Sequence, residues 1–107
     1  MEFKNLLSFI DKEDRRLKNN FENYPDQEKR ILARTVKLNE EVGELCDEIL
    51  SCLSFQRKDK LDKHDRNNLP KELADVIITV LLLAKAVDVD IKEALEKKIE
   101  KINQRYK

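Results

Sequence analysis

ELADVIITVLLLAKA, residues 72–86, decides the fold. It is apolar almost all the way round a helix, so it reads as the most buried helix of the protein. Its polar exceptions are Glu72, Asp75 and Thr79, at steps of three and four and hence on one face. The helix is expected from about Pro70, a residue favoured in a first turn, to about Val87, with Asn68 as its cap.

Downstream, Asp88-Val89-Asp90 breaks the pattern, and Asp90 with Glu93 has capping-box form. The last helix starts there, with Ile91, Ala94, Leu95, Lys98, Ile99, Ile102 and Tyr106 on one face. Upstream, residues 54–68 are charged and aperiodic and read as a connecting loop; His64, the single histidine, is a bystander in it. Before the loop, Gln27 to Leu53 reads as a long helix that Asp26 caps. Ile31, Thr35, Leu38, Val42, Leu45, Ile49 and Cys52 form its apolar seam, and Glu41, Glu44 and Glu48 run along the seam's edge. A first helix is expected from Phe3 to Phe21, with Phe3, Leu6, Leu7, Ile10, Leu17 and Phe21 on one stripe.

The fold class is therefore all-α, four helices in one domain spanning residues 1–107. Composition agrees: one Gly and two Pro among 107 residues, with many Glu, Lys and Leu, favour helix over sheet. The 22 basic and 22 acidic side chains cancel, so there is no basic footprint for nucleic acid. A polyphosphate ligand would need metal ions to offset its charge. Cys46 and Cys52 sit six residues apart on one helix and cannot bridge, which suits a reducing, cytoplasmic setting. The longest apolar stretch, Val76 to Ala84, is too short to cross a bilayer.

The chemistry lies in two acidic pairs, Glu41/Glu44 within EEVGEL and Glu72/Asp75 within ELADV. Each places two carboxylates one turn apart on one face, where like charges repel. One such pair alone is commonly a solvated face. Asp75, however, begins a nearly apolar run, and desolvation adds to the repulsion there. A divalent cation between the two helices would offset both costs, and oxygen ligands without nitrogen or sulfur suit Mg²⁺ or Mn²⁺.

KLNEEVGELCDEIL (37–50) and KELADVIITVLLLAKAVDVDIKEALEKKI (71–99) resemble the two acidic helices, the following turn and the last helix of the MazG-like nucleotide pyrophosphohydrolases. The resemblance runs from about Leu38 to Tyr106. It implies hydrolysis of a nucleoside triphosphate between the α and β phosphates, giving a nucleoside monophosphate and pyrophosphate. The metal ligands it implies are Glu41, Glu44, Glu72 and Asp75, around Mg²⁺ with Mn²⁺ as an alternative. Metal-activated water would attack the α phosphorus, and Glu41 would take its proton. Lys98 and Arg105 would face the phosphates, beside Tyr106; Ile102 stands where the family often has Asn.

No Glu-x-x-His pair supports a di-iron site, and no Gly-rich loop or Cys–His pair offers another chemistry. Gly43 inside a helix points to close packing or to room beside the metal. The third helix carries more apolar surface than one small bundle needs, so a homodimer or dimer of dimers is expected. The alternative from another class is a non-catalytic helical interaction module with a vestigial or regulatory metal site.

Overall fold

The computed structural model describes residues 1–21, 26–53 and 68–107. These residues form four α-helices: α1 Phe3–Asn20, α2 Gln27–Cys52, α3 Asn68–Ala86 and α4 Ile91–Gln104. Among the described residues there is no strand. The loop expected over residues 54–68, with His64 in it, lies outside them up to residue 67.

Two of the three expected caps, Asp26 and Asp90, are present. The Asp26 side chain accepts a hydrogen bond from the Lys29 amide at 3.0 Å, and that of Asp90 accepts one from the Glu93 amide at 3.1 Å. Each satisfies an amide that a first helical turn leaves without a backbone partner. Between α3 and α4, Asp88 takes the left-handed conformation with φ 57°. The Val89 amide donates back to Ala84 O at 3.0 Å, closing the end of α3. One boundary differs from the sequence expectation: α3 begins by Asn68, so Asn68 is helical and does not cap a helix beginning at Pro70. Pro70 is still tolerated, because the first turn has no use for its missing N–H.

α3 is the central element, packed along α2 and, less extensively, against α1. The α2–α3 pair is antiparallel. Gln27 Nε2 donates to Ala86 O at 3.2 Å, Arg34 Nη1 donates to Leu82 O at 2.8 Å, and Glu41 meets Glu72 and Asp75. As numbers rise along α2, their partners fall along α3. Lys85 of α3 ties to Asp11 of α1 at 2.9 Å.

The side of α2 turned inward differs from the expected seam. Arg34, Glu41 and Ser51 are buried, whereas Thr35, Val42 and Ile49 of that seam are exposed. Ile31, Leu38, Leu45 and Cys52 of the seam stay half-buried, and Arg34 and Glu41 take the inward places expected of Thr35 and Val42; Arg34 gains Asp14 and Leu82 O there. The apolar core is correspondingly small: Ile10, Leu81, Ala84 and Ala86 are the buried apolar residues among those described. On α3 itself Leu73, Ile77 and Val80 stay exposed, and on α4 so do Leu95, Ile99 and Ile102. Phe3, Leu6, Val76, Ile77, Leu95 and their neighbours line one continuous apolar groove. The Cα radius of gyration is 16.9 Å, where a compact chain of this length has about 13 Å. Among the described residues, the side of α3 that carries Leu73, Ile77 and Val80 is therefore left uncovered.

Candidate metal centre

Two turns of α3 and one of α2 build the site. Glu72 and Asp75 are one turn apart on α3, and the antiparallel pairing brings Glu41 of α2 opposite them. One carboxylate oxygen from each lies within 4.8 Å of the other two. Glu41 is buried, Glu72 half-buried and Asp75 exposed, so the cluster runs from the helix interface to solvent. Thr79, one turn beyond Asp75, is buried and donates its hydroxyl to Asp75 O at 2.7 Å. That bond satisfies the hydroxyl within its own helix.

The electrostatics are unfavourable for bare carboxylates. Burial raises the Glu72 pKa above its ordinary value, and the charges of Glu44, Asp75, Glu41 and Glu48 push it in the same direction. The Oε2 atoms of Glu41 and Glu72 are buried and accept no hydrogen bond from the described residues. Among the described residues, the cation that pairs with the cluster is Lys37, whose Nζ is 3.0 Å from Glu41 Oε1. The hydrogen bond to Glu41 raises the Lys37 pKa, and the charges of Glu40, Glu41 and Glu44 add to it.

Three hard oxygen donors, two of them with orphaned buried oxygens, fit a divalent cation of the Mg²⁺ or Mn²⁺ kind. Glu44 does not join the three. It is exposed one turn along α2 and is felt at Glu72 through its charge. Lys98 and Arg105 are exposed on α4, which makes only slight contact with the other helices, and the structure does not bring them to the carboxylates. A Cβ on Gly43 would meet open space, so close packing does not explain that glycine.

Sequence reasoning missed a second charged group nearby. Asp14 of α1 and Arg34 of α2 are both buried and pair at 2.8 Å, with Lys18 Nζ 3.0 Å from the other Asp14 oxygen. Burial pushes the Asp14 pKa up, but the hydrogen bonds and charges of Lys18 and Arg34 outweigh it and hold it below its ordinary value. The signal was in the spacing. Asp14 falls between Ile10 and Leu17 on the α1 stripe, and Arg34 between Ile31 and Leu38 on α2. Charges at seam positions call for partners. Beside this pair a recess lined by Glu13, Leu17, Arg34, Lys37, Thr79 and Leu82 adjoins the carboxylates, sharing Lys37 and Thr79 with their surroundings.

An all-α protein with an acidic site between two antiparallel helices is the class that this geometry defines. The chain belongs to the MazG nucleotide pyrophosphohydrolase domain family, whose model matches residues 29–107. That span holds all three converging acids and leaves α1 outside. The chain is also similar to an uncharacterized protein, YpjD, of Bacillus subtilis (strain 168), with 32% identity over 76 residues, covering 71% of this chain and 67% of that protein. No solved structure matches. Among the described residues no helix is long and apolar enough to cross a membrane.

Proposed function

We propose that this protein is a Mg²⁺-dependent nucleoside triphosphate pyrophosphohydrolase, converting a nucleoside or deoxynucleoside triphosphate to the monophosphate and pyrophosphate. The observation that carries the reading is the convergence of Glu41, Glu72 and Asp75, with a buried oxygen of Glu41 and of Glu72 that accepts no hydrogen bond from the described residues, in a chain of the MazG family. A carboxylate cluster with this repulsion has a reason to exist if a cation completes it.

In this reading Glu41, Glu72 and Asp75 hold the metal, and Glu44 joins as a fourth ligand by turning toward Glu72. When bound, Mg²⁺ neutralises phosphate charge and makes water more acidic. The chain's own contribution is geometric and protonic. The antiparallel α2–α3 pair fixes the carboxylates, and Glu41, shielded from bulk solvent, accepts a proton at a carboxylate oxygen. Lys98 and Arg105 are proposed to contact the phosphates from α4, which must then approach the cluster, either within the chain or from a second copy.

A homodimer or dimer of dimers fits the uncovered apolar face of α3 and the groove lined by Phe3, Ile77 and Leu95. The four helices then act as one domain. The competing reading, a helical interaction module with a vestigial or regulatory metal site, predicts metal binding without turnover. Pyrophosphate release from a panel of canonical and modified triphosphates, with Mg²⁺ and with EDTA, separates the two. Metal-dependent release supports the enzyme; metal binding with no release from any member supports the module. Sedimentation at micromolar concentration tests the assembly, and a clean monomer would contradict it.

A further inference from the structure

Among the described residues, the cation paired with the cluster of Glu41, Glu72 and Asp75 is Lys37, and it occupies a particular place. Lys37 Nζ is 3.0 Å from Glu41 Oε1 and 3.9 Å from Glu40 Oε2. Its side chain is 54% exposed, whereas that of Glu41 is 8% exposed. A buried carboxylate is thus held by a long, flexible side chain that solvent can reach, not by a buried guanidinium such as the one that holds Asp14. Lys37 also lines the recess formed with Glu13, Leu17, Arg34, Thr79 and Leu82. It therefore belongs to two places at once: the acidic cluster, and the cavity next to it.

Resting on the metal-site reading above, we infer that Lys37 is an exchangeable stand-in for the metal: it compensates Glu41 until a divalent cation binds, and the displaced ammonium then serves as a phosphate-binding group at the mouth of the adjoining recess. The physical reason is competition for one carboxylate. A divalent cation held by Glu41 would repel an ammonium hydrogen-bonded to the same carboxylate. The ammonium is a compact charge on a four-carbon stem with several rotatable bonds, so it can leave without disturbing α2. The remaining charges at the recess make its new partner an anion. Glu13 is already paired with Arg16 at 2.8 Å, and Arg34 is committed to Asp14 and Leu82 O. A polyphosphate bridging to the metal would present oxygens within reach of the freed ammonium. Lys37 acts here as a phosphate-binding residue, binding neither the reacting water nor a proton in transit.

The test uses the full chain, MgCl₂ and inorganic tripolyphosphate, so that it depends neither on turnover nor on the preferred base. Mg²⁺ half-saturation is read from melting curves without nucleotide, and tripolyphosphate affinity by calorimetry at saturating Mg²⁺. Lys37→Met removes the competitor, so Mg²⁺ should bind about fivefold more tightly than in wild type. The same variant should bind tripolyphosphate about tenfold more weakly, having lost a charged hydrogen-bond donor. Lys37→Gln, which keeps a polar side chain, should move both quantities in the same directions. An unchanged or weaker Mg²⁺ affinity in both variants would overturn the inference, since Lys37 would then only hold Glu41 in place. Unchanged tripolyphosphate affinity would also overturn it. A wild type with no Mg²⁺ response at all would remove the metal site itself, and this inference with it. The failure of the broader reading is thus distinct from the failure of the role of Lys37.

Discussion

Asp14 and Glu41 are both buried carboxylates, 2% and 6% exposed, on the two helices that flank α3. Asp14 meets two cations, Arg34 and Lys18, and Arg34 is anchored in turn on Leu82 O. Glu41 meets one exposed lysine and two further acids. The first arrangement is a charge-balanced ion-pair network that joins three helices. The second leaves acidic charge uncompensated among the described residues. Burial alone does not separate a structural acid from a ligand; the balance of charge around it does.

The largest effect on stability should come from breaking the charge-balanced site. Asp14→Ala leaves a buried guanidinium without its carboxylate and should cost about 3–5 kcal/mol. Against a typical domain stability of about 5–15 kcal/mol, that shift is plain in a denaturant titration. A loss under about 1 kcal/mol would mean that Arg34 finds other compensation.

The open site should respond with the opposite sign. In EDTA, Glu72→Gln removes one of the repelling charges and should leave the protein as stable as wild type or more so. A clear drop in the metal-free melting temperature would show that Glu72 is held by a cation, as Asp14 is.

The same contrast should appear with pH. The Glu72 pKa is raised in the folded state, so the fold binds more protons than the unfolded chain in that range. Metal-free stability should therefore rise as pH falls from above the folded Glu72 pKa toward the ordinary value of 4.5. The Asp14 pKa is lowered, so its contribution is present above 3.8 and is lost as pH falls through its folded value. Melting curves from neutral pH to pH 3 should pass through a maximum on the acid side. Glu72→Gln should flatten the rise and spare the fall.

How far the sequence could be read follows from the same two sites. Residues 72–86, the caps Asp26 and Asp90, and the spacing of Glu41, Glu72 and Asp75 are local features, and helical geometry carried each of them into three dimensions. The Asp14–Arg34 pair was not legible as a pair, because 22 acids and 22 bases allow many matches and only packing selects one. The inward turn of Arg34 and Glu41 was missed for a related reason: Val42 and Ile49 look like core by composition, yet Arg34 finds Asp14 and Leu82 O on the inner face and Glu41 faces the α3 acids there. Glu44 shares the ExxE spacing, but one turn along α2 carries it away from the three converging oxygens. Lys98 and Arg105 came from family resemblance, and the slight packing of α4 does not position them.

The smallest expected change concerns Gly43. Open space surrounds its Cβ direction, so Gly43→Ala should stabilise α2 by up to about 1 kcal/mol through helix propensity alone. A destabilised or inactive Gly43→Ala would show that a second copy or a ligand fills that space, extending the open site outward.

The most direct measurement is a pair of melting experiments on wild type and Asp75→Asn, each with EDTA and with millimolar Mg²⁺. If the three carboxylates form a cation site, Mg²⁺ raises the wild-type melting temperature, as a ligand specific to the folded state does. Asp75→Asn should lose most of that rise while matching or exceeding wild type in EDTA, and it should release no pyrophosphate. Two metal-insensitive curves, with the variant clearly less stable, would contradict the account and make these acids structural, like Asp14.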